Sequence, residues 1–270
     1  MTDITILETR NGAFRIALDG AADAPVLMLS NSLGTPLEMW ERQAQVFSRT
    51  HRVLRYDTRG HGQSVVTPGP YSFGQLGDDV LAILDTLQLD RVTYCGLSMG
   101  GHTGLWLAIH AGERFAGIAV SNSAARIGTP QAWQDRAALI QRDGEAAMRA
   151  LADSAPGRWF TPDFIHAEPQ VVRTARQWLA QTSPEGYAAN CEALASSDLR
   201  PALGQIHVPV LLLAGQFDPV TTPDDARAMQ QAIAGARLET IAASHLSNLE
   251  APQAFEAALA RFLENLPAEK

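Results

Sequence analysis

The chain has 270 residues, 46% of them apolar, and 21 Lys+Arg against 29 Asp+Glu give a net charge of −8. That length and apolar content suit one α/β domain with an insertion, or two small domains, and exclude a disordered chain. The acidic balance argues against nucleic acid and anionic membrane surfaces as partners.

Ile4-Thr5-Ile6-Leu7 and Phe14-Arg15-Ile16-Ala17-Leu18 flank Asn11-Gly12, which predicts a β-hairpin turning on Asn-Gly. Pro25–Ser30 is a continuous apolar run, expected of a buried parallel strand, and it ends in Asn31-Ser32-Leu33-Gly34-Thr35. A helix is expected around Trp40 to Phe47, then a strand over Arg52–Asp57 running into the glycine-rich Thr58-Arg59-Gly60-His61-Gly62-Gln63-Ser64. Gln75 to Leu87 has helical spacing, with Leu76, Val80, Ile83, Leu84 and Leu87 on one face. Phe115–Val120 reads as another buried strand. From about Ala125 to Leu194 only helical segments are visible, interrupted by Pro130, Pro156, Pro162, Pro169 and Pro184. The sheet resumes at Val208–Ala214, followed by a helix from Pro223 to Ala234, a strand over Arg237–Ile241 and a helix from Pro252 to Leu266. Alternating strands and helices predict a mostly parallel sheet with helices on both faces. The expected organisation is a core of 1–124 and 191–270 and a helical lid of 125–190.

Between these elements lies Val92-Thr93-Tyr94-Cys95-Gly96-Leu97-Ser98-Met99-Gly100-Gly101, a β-prone run that ends in G-x-S-x-G and leads into an apolar helix. This is the nucleophile-elbow pattern, a strand, a tight turn and a helix with serine at the apex. Side chains at Gly96 and Gly100 would clash where the chain doubles back. The helix would begin just after Ser98, its N–H groups pointing where an oxyanion forms. The plain alternative is a glycine-rich turn with an idle serine, but random placement of these serines and glycines gives only about 0.08 such matches per chain.

A serine becomes a nucleophile only with a base, and the base needs an orienting group. In this architecture they follow in the order Ser, Asp, His, each at the carboxyl end of a strand. Asp218 stands directly after the strand over 208–214, and His245 after that over 237–241, where it is the only histidine beyond the acid. Asp224 and Asp225 read instead as helix N-terminal residues. The oxyanion donors expected by position are the N–H groups of Met99 and Leu33. His61 reads as a structural loop residue rather than a second base, and His102 as packing. Trp133 stands either to line the substrate pocket or to pack the lid. The lid arginines Arg126, Arg136, Arg158, Arg173 and Arg176 are solvated by default, although a substrate carboxylate would need a cation or donor cluster.

Nearly every cation is arginine; the one lysine is Lys270. Cys95 and Cys191 have no C-x-x-C spacing, so neither a metal nor a redox motif is supported. Met1-Thr2-Asp3-Ile4-Thr5 does not read as a secretory leader, and no apolar run has spanning length. A cytoplasmic setting without membrane partners is expected. The pattern carries no signal for oligomeric state.

The chain resembles the α/β-hydrolase superfamily over nearly its whole length, and more narrowly the 3-oxoadipate enol-lactonases. The carriers are Ser30-Asn31-Ser32-Leu33-Gly34-Thr35, Tyr56-Asp57-Thr58-Arg59-Gly60-His61-Gly62, Gly96-Leu97-Ser98-Met99-Gly100-Gly101, Asp218-Pro219-Val220-Thr221-Thr222-Pro223 and Ser244-His245-Leu246-Ser247-Asn248-Leu249-Glu250. The elbow piece is shared by many hydrolases, whereas Asn-Ser-Leu-Gly, His-Leu-Ser-Asn and Tyr187–Leu194 near the lid's return are more specific. The resemblance implies an enzyme that opens an anionic lactone through an acyl-enzyme, with a small-molecule substrate and neither metal nor cofactor. A carboxylesterase, a carbon–carbon bond hydrolase of aromatic breakdown and a cofactor-free perhydrolase share the triad and stay open, as does a non-catalytic binding protein on the same scaffold. Haloalkane dehalogenases and epoxide hydrolases need a carboxylate where Ser98 stands.

Overall fold

A computed structural model of the chain describes residues 3–266. Met1, Thr2 and Lys270, named above, lie outside the described residues. Two antiparallel strands, β1 (Asp3–Thr9) and β2 (Gly12–Asp19), open the chain. Six more follow: β3 (Val26–Ser30), β4 (Arg52–Tyr56), β5 (Val92–Leu97), β6 (Phe115–Ser121), β7 (Val210–Gly215) and β8 (Arg237–Ile241). Among the described residues they form one sheet in the order β1-β2-β4-β3-β5-β6-β7-β8, parallel from β4 onward. The hairpin forms as expected, but its turn is Arg10-Asn11. Gly12 pairs with Thr9 as the first residue of β2, at φ +126°, where a Cβ would press on Val65 at 3.0 Å.

Every residue of β5, β6 and β7 is buried, because helices cover both sheet faces. Alternate side chains point to opposite faces, so the core has two halves. On one face Leu27, Leu29, Cys95, Leu97, Leu211 and Leu213 meet α1 (Glu41–Phe47) and Phe255, Leu259 and Phe262 of the C-terminal helix. On the other, Met28, Tyr94, Ile118, Val120 and Leu212 meet α2 (Phe73–Thr86) and α3 (Met99–His110).

Between β6 and β7 the chain runs through α4 (Pro130–Asp143), α5 (Glu145–Ser154), α6 (Pro156–Trp159), α7 (Pro162–Ala167), α8 (Pro169–Gln181) and α9 (Pro184–Ser196). The prolines that read as interruptions are helix starts. Pro130, Pro156, Pro162, Pro169 and Pro184 each open a helix, where a missing N–H costs nothing and φ is already helical. Thr129, Thr161 and Ser183 cap three of them by accepting an N–H of the first turn. Then come α10 (Pro223–Ala232), α11 (Ser247–Glu250) and α12 (Pro252–Glu264). No described helix is long and apolar enough to cross a membrane.

The strand order reverses at β3, which pairs with β4 on one side and β5 on the other. Open α/β sheets leave a crevice at that point, beyond the carboxyl ends of the strands.

Candidate active site

Ser98 sits at φ 56°, ψ −114°, between the end of β5 and the first residue of α3. Few side chains other than glycine occupy positive φ, and here the surroundings fix it. Ser98 N–H bonds Ser121 C=O at 2.9 Å, and its own carbonyl accepts the Ser123 hydroxyl at 2.8 Å and His102 N–H at 2.9 Å. The flanking glycines are required by contact: a Cβ on Gly96 would lie 2.2 Å from Gly100 O, and one on Gly100 2.4 Å from Ser30 O. The elbow therefore packs backbone against backbone on the loop after β3, and Gly100 N–H bonds Asn31 O at 3.0 Å.

Three residues from three loops meet at this apex. Ser98 Oγ lies 2.9 Å from His245 Nε2, and His245 Nδ1 lies 2.8 Å from Asp218 Oδ2. All three are buried. The Asp218 carboxylate accepts five bonds. Oδ2 takes His245, Asn122 Nδ2 at 3.0 Å and Thr221 Oγ1 at 2.8 Å; Oδ1 takes the N–H groups of Val220 at 2.8 Å and Thr221 at 3.1 Å. Burial alone would raise its pKa, but His245 and these donors outweigh it and hold the acid at about 2. The ionised carboxylate accepts from Nδ1–H, which leaves Nε2 as the lone pair facing the serine hydroxyl. This arrangement can withdraw a proton from Ser98 and return it to a leaving group.

Asn122 was not singled out in the sequence. It directly follows β6 at φ 42°, buried, and its amide also donates to Ser244 O at 3.0 Å while its Oδ1 accepts the hydroxyls of Ser121 and Ser247. One side chain thus ties the acid's loop to the histidine's. Nothing in its local pattern separates it from an ordinary strand-end asparagine.

Met99 N–H, at the first position of α3, has no intrahelical acceptor. Leu33 N–H has no protein acceptor among the described residues. Leu33 and Ser98 line one cavity of about 230 Å³ together with His245 and Trp133. The Trp133 ring borders this cavity, and its indole N–H bonds Ile127 O in the helical insertion at 2.6 Å. His102 does more than pack. It is buried against Phe73 and bridges Ala124 O at 2.8 Å and Ser197 Oγ at 2.7 Å.

The five arginines of the helical insertion separate into two kinds. Arg126 and Arg176 pair with Asp198 and Asp153, and Arg173 bonds Gln170. Arg136 and Arg158 instead line the cavity, and neither has a carboxylate within 4 Å among the described residues. Arg136 lies over the Trp133 ring, 4.7 Å from its centroid, and interacts with the Tyr187 hydroxyl. Burial and the neighbouring positive Arg136 both lower the pKa of Arg158. Two like charges left together in a half-buried pocket suit an anion. Among the described residues no cluster of three or more His, Cys, Asp or Glu side chains is placed to hold a metal ion. Cys95 and Cys191 are free and buried.

Residues 25–252 match the family described as the alpha/beta hydrolase fold. A 3-oxoadipate enol-lactonase of Acinetobacter baylyi is 50% identical over 95% of this chain and 96% of its own length, and a second from the same organism is 41% identical over 97% of each. The crystal structure of the enol-lactonase from Burkholderia xenovorans superposes with a TM-score of 0.93 at 44% identity, covering 97% of this chain and all of that one. A thermophilic esterase from Thermogutta terrifontis, with malate bound, superposes at 0.88 and 27% identity over 97% of this chain and 98% of its own. The chain belongs to the α/β-hydrolase fold family and, within it, to the branch that holds the 3-oxoadipate enol-lactonases.

Proposed function

We propose that this protein hydrolyses 3-oxoadipate enol-lactone to 3-oxoadipate, with Ser98 as nucleophile, His245 as base and then acid, and Asp218 as the group that orients it. The observation that carries this is the unbroken chain Ser98 Oγ–His245 Nε2, His245 Nδ1–Asp218 Oδ2 at 2.9 and 2.8 Å, opening into a cavity with two arginines that have no carboxylate partner among the described residues. His245 takes the Ser98 proton as Oγ attacks the lactone carbonyl. The N–H groups of Met99 and Leu33 hold the oxyanion. The ring C–O bond breaks and His245 returns the proton to the departing enol oxygen. His245 then takes a proton from water as it attacks the acyl-enzyme carbonyl, and gives that proton to Ser98 Oγ as the acyl C–O bond breaks; the enol tautomerises to the ketone.

The pocket supports a small anion. At about 230 Å³ it falls below the roughly 300–1,000 Å³ of sites for drug-sized ligands. Arg136, Arg158 and the Tyr187 hydroxyl would meet the substrate carboxylate, and Trp133 would form the apolar wall. Burial raises the Tyr187 pKa, so its hydroxyl stays a donor. In this reading 1–124 and 191–270 carry the reaction, and 125–190 is the lid that chooses what enters. The two free thiols suit a reducing, cytoplasmic compartment.

The test follows loss of enol-lactone absorbance with wild type and Ser98→Ala, beside p-nitrophenyl acetate and a meta-cleavage product. The expected result is a kcat/KM highest for the enol-lactone and lost in the variant. Preference for either comparison substrate, or an active Ser98→Ala protein, would reject the assignment.

A further inference from the structure

The loop that carries Leu33 is anchored from an unexpected side. Ser32 to Thr35 form a turn closed by Thr35 N–H and Thr35 Oγ1 on Ser32 O, at 3.2 and 2.8 Å. Gly34 takes φ +81° there, and a Cβ on it would lie 2.5 Å from Leu179 Cδ1, so the insertion presses on the turn. Turns of this kind exist in two forms that differ by a flip of the central peptide, here Leu33–Gly34. The Gly34 N–H donates to His61 Nε2 at 2.8 Å. An amide N–H can only donate, so Nε2 must present its lone pair and the ring proton sits on Nδ1. Nδ1–H faces Arg59 O at 3.3 Å, and that carbonyl also accepts Asn190 Nδ2 of α9 at 2.9 Å. His61 is buried, and burial lowers its pKa to about 4, so the neutral ring is the form present near pH 7.

We propose that His61 is a positioning residue for the oxyanion site: its neutral ring fixes the Leu33–Gly34 peptide and thereby the aim of the Leu33 N–H. A flipped peptide would turn Leu33 C=O toward the His61 lone pair, two acceptors face to face in a dry site. With that flip blocked on one side, and Asn31 O bonded to Gly100 N–H on the other, the Ser32–Leu33 peptide that carries the Leu33 N–H sits between two fixed peptide planes. Helix α9 reaches the same anchor through Asn190 and Arg59, so the insertion and the oxyanion loop share one hydrogen-bonded chain. The inference rests on the reading of Leu33 and Met99 as oxyanion donors.

The experiment compares wild type, His61→Leu, which cannot accept, and His61→Gln, whose amide oxygen can. It measures kcat and KM on the enol-lactone, affinity for a trifluoromethyl ketone analogue that forms an oxyanion on Ser98, and thermal unfolding. Losing a whole oxyanion donor costs about 10²–10³ in kcat. A misaimed one should cost about 10–100-fold in His61→Leu, with KM within about twofold and ketone affinity falling in parallel; His61→Gln should recover to within about fivefold. A folded His61→Leu protein with wild-type kcat and ketone affinity overturns the proposal, as does a loss confined to KM. If His61→Leu does not fold, His61→Met against His61→Gln makes the same comparison. Wild type is tested first with a fluorophosphonate; an unlabelled Ser98 overturns the serine-hydrolase reading itself, apart from any His61 result.

Discussion

Replacing Arg158 by Gln removes one of two guanidinium groups that share the cavity with no carboxylate to neutralise them. A hydrogen bond to a charged group contributes about 1.5–3 kcal/mol. At 1.4 kcal/mol per tenfold, the variant should lose about 10–150-fold in kcat/KM on an anionic lactone. Without substrate the sign reverses. Burial and repulsion from Arg136 already lower the Arg158 pKa, so removing its charge should leave the free protein as stable as before or more so. The assay measures kcat/KM on the enol-lactone and on α-angelica lactone, a neutral enol-lactone of the same ring without the carboxylate, with thermal unfolding of each protein alongside. The neutral lactone should change by less than about threefold, since only its missing group meets the arginines. Arg136→Gln should behave alike. The double variant should lose less than the sum, because both groups would bind one anion. Equal losses on the two lactones, or none on either, would refute the carboxylate role.

Asp218→Asn keeps the shape but cannot hold the Nδ1–H tautomer of His245, so kcat should drop about 10³–10⁴-fold while fluorophosphonate labelling slows in step. Asn122→Ala strands the Ser244 carbonyl and the Ser247 hydroxyl and keeps the positive φ; urea unfolding should show a loss of about 2–4 kcal/mol, with Asn122→Gly about 1 kcal/mol less affected. His102, like His61, has its pKa lowered by burial to about 4 from 6.5. The unfolded chain therefore gains a proton between pH 6.5 and 4 that the native state refuses, so the contribution is complete above pH 6.5 and lost as the pH falls through that window. From pH 8 to 5 the loss is about 2 kcal/mol for each ring, and His102→Gln should lose about 2 kcal/mol less over that range than wild type.

Much of the site could be read from the chain because strand runs and their order are local signals. Val92–Leu97 announces a buried strand, Gly-x-Ser-x-Gly needs its glycines for contacts of 2.2–2.4 Å, and Asp218 and His245 each follow a recognisable strand. The rest depends on who meets whom. Five arginines in the insertion look alike along the sequence, and only folding gives Arg126 and Arg176 acidic partners and leaves Arg136 and Arg158 facing the serine. Asn122 gains its place from Gly215, where a Cβ would come within 2.7 Å of its amide. Pro162 reads equally as a break or a start, and the Thr161 hydroxyl in front of it decides by capping the helix, whereas Pro156 opens its helix behind Ala155 with no side-chain cap. Arg10-Asn11 makes the first turn because the pairing of Thr9 with Gly12 draws that glycine into the strand.

Glu250 touches both sides of the catalytic crevice. Its carboxylate accepts Ser244 N–H at 2.7 Å, next to His245, and both the N–H, at 3.0 Å, and the hydroxyl of Thr161 at the start of α7. Leu246 N–H, on the other side of the histidine, bonds Trp159 O at 3.0 Å. The imidazole is therefore clamped by the helical insertion, the segment proposed above to select the substrate. An engineer who transplants a foreign insertion onto this sheet must carry over a threonine and a free carbonyl at those two places, or the graft will cost turnover even with its own pocket intact.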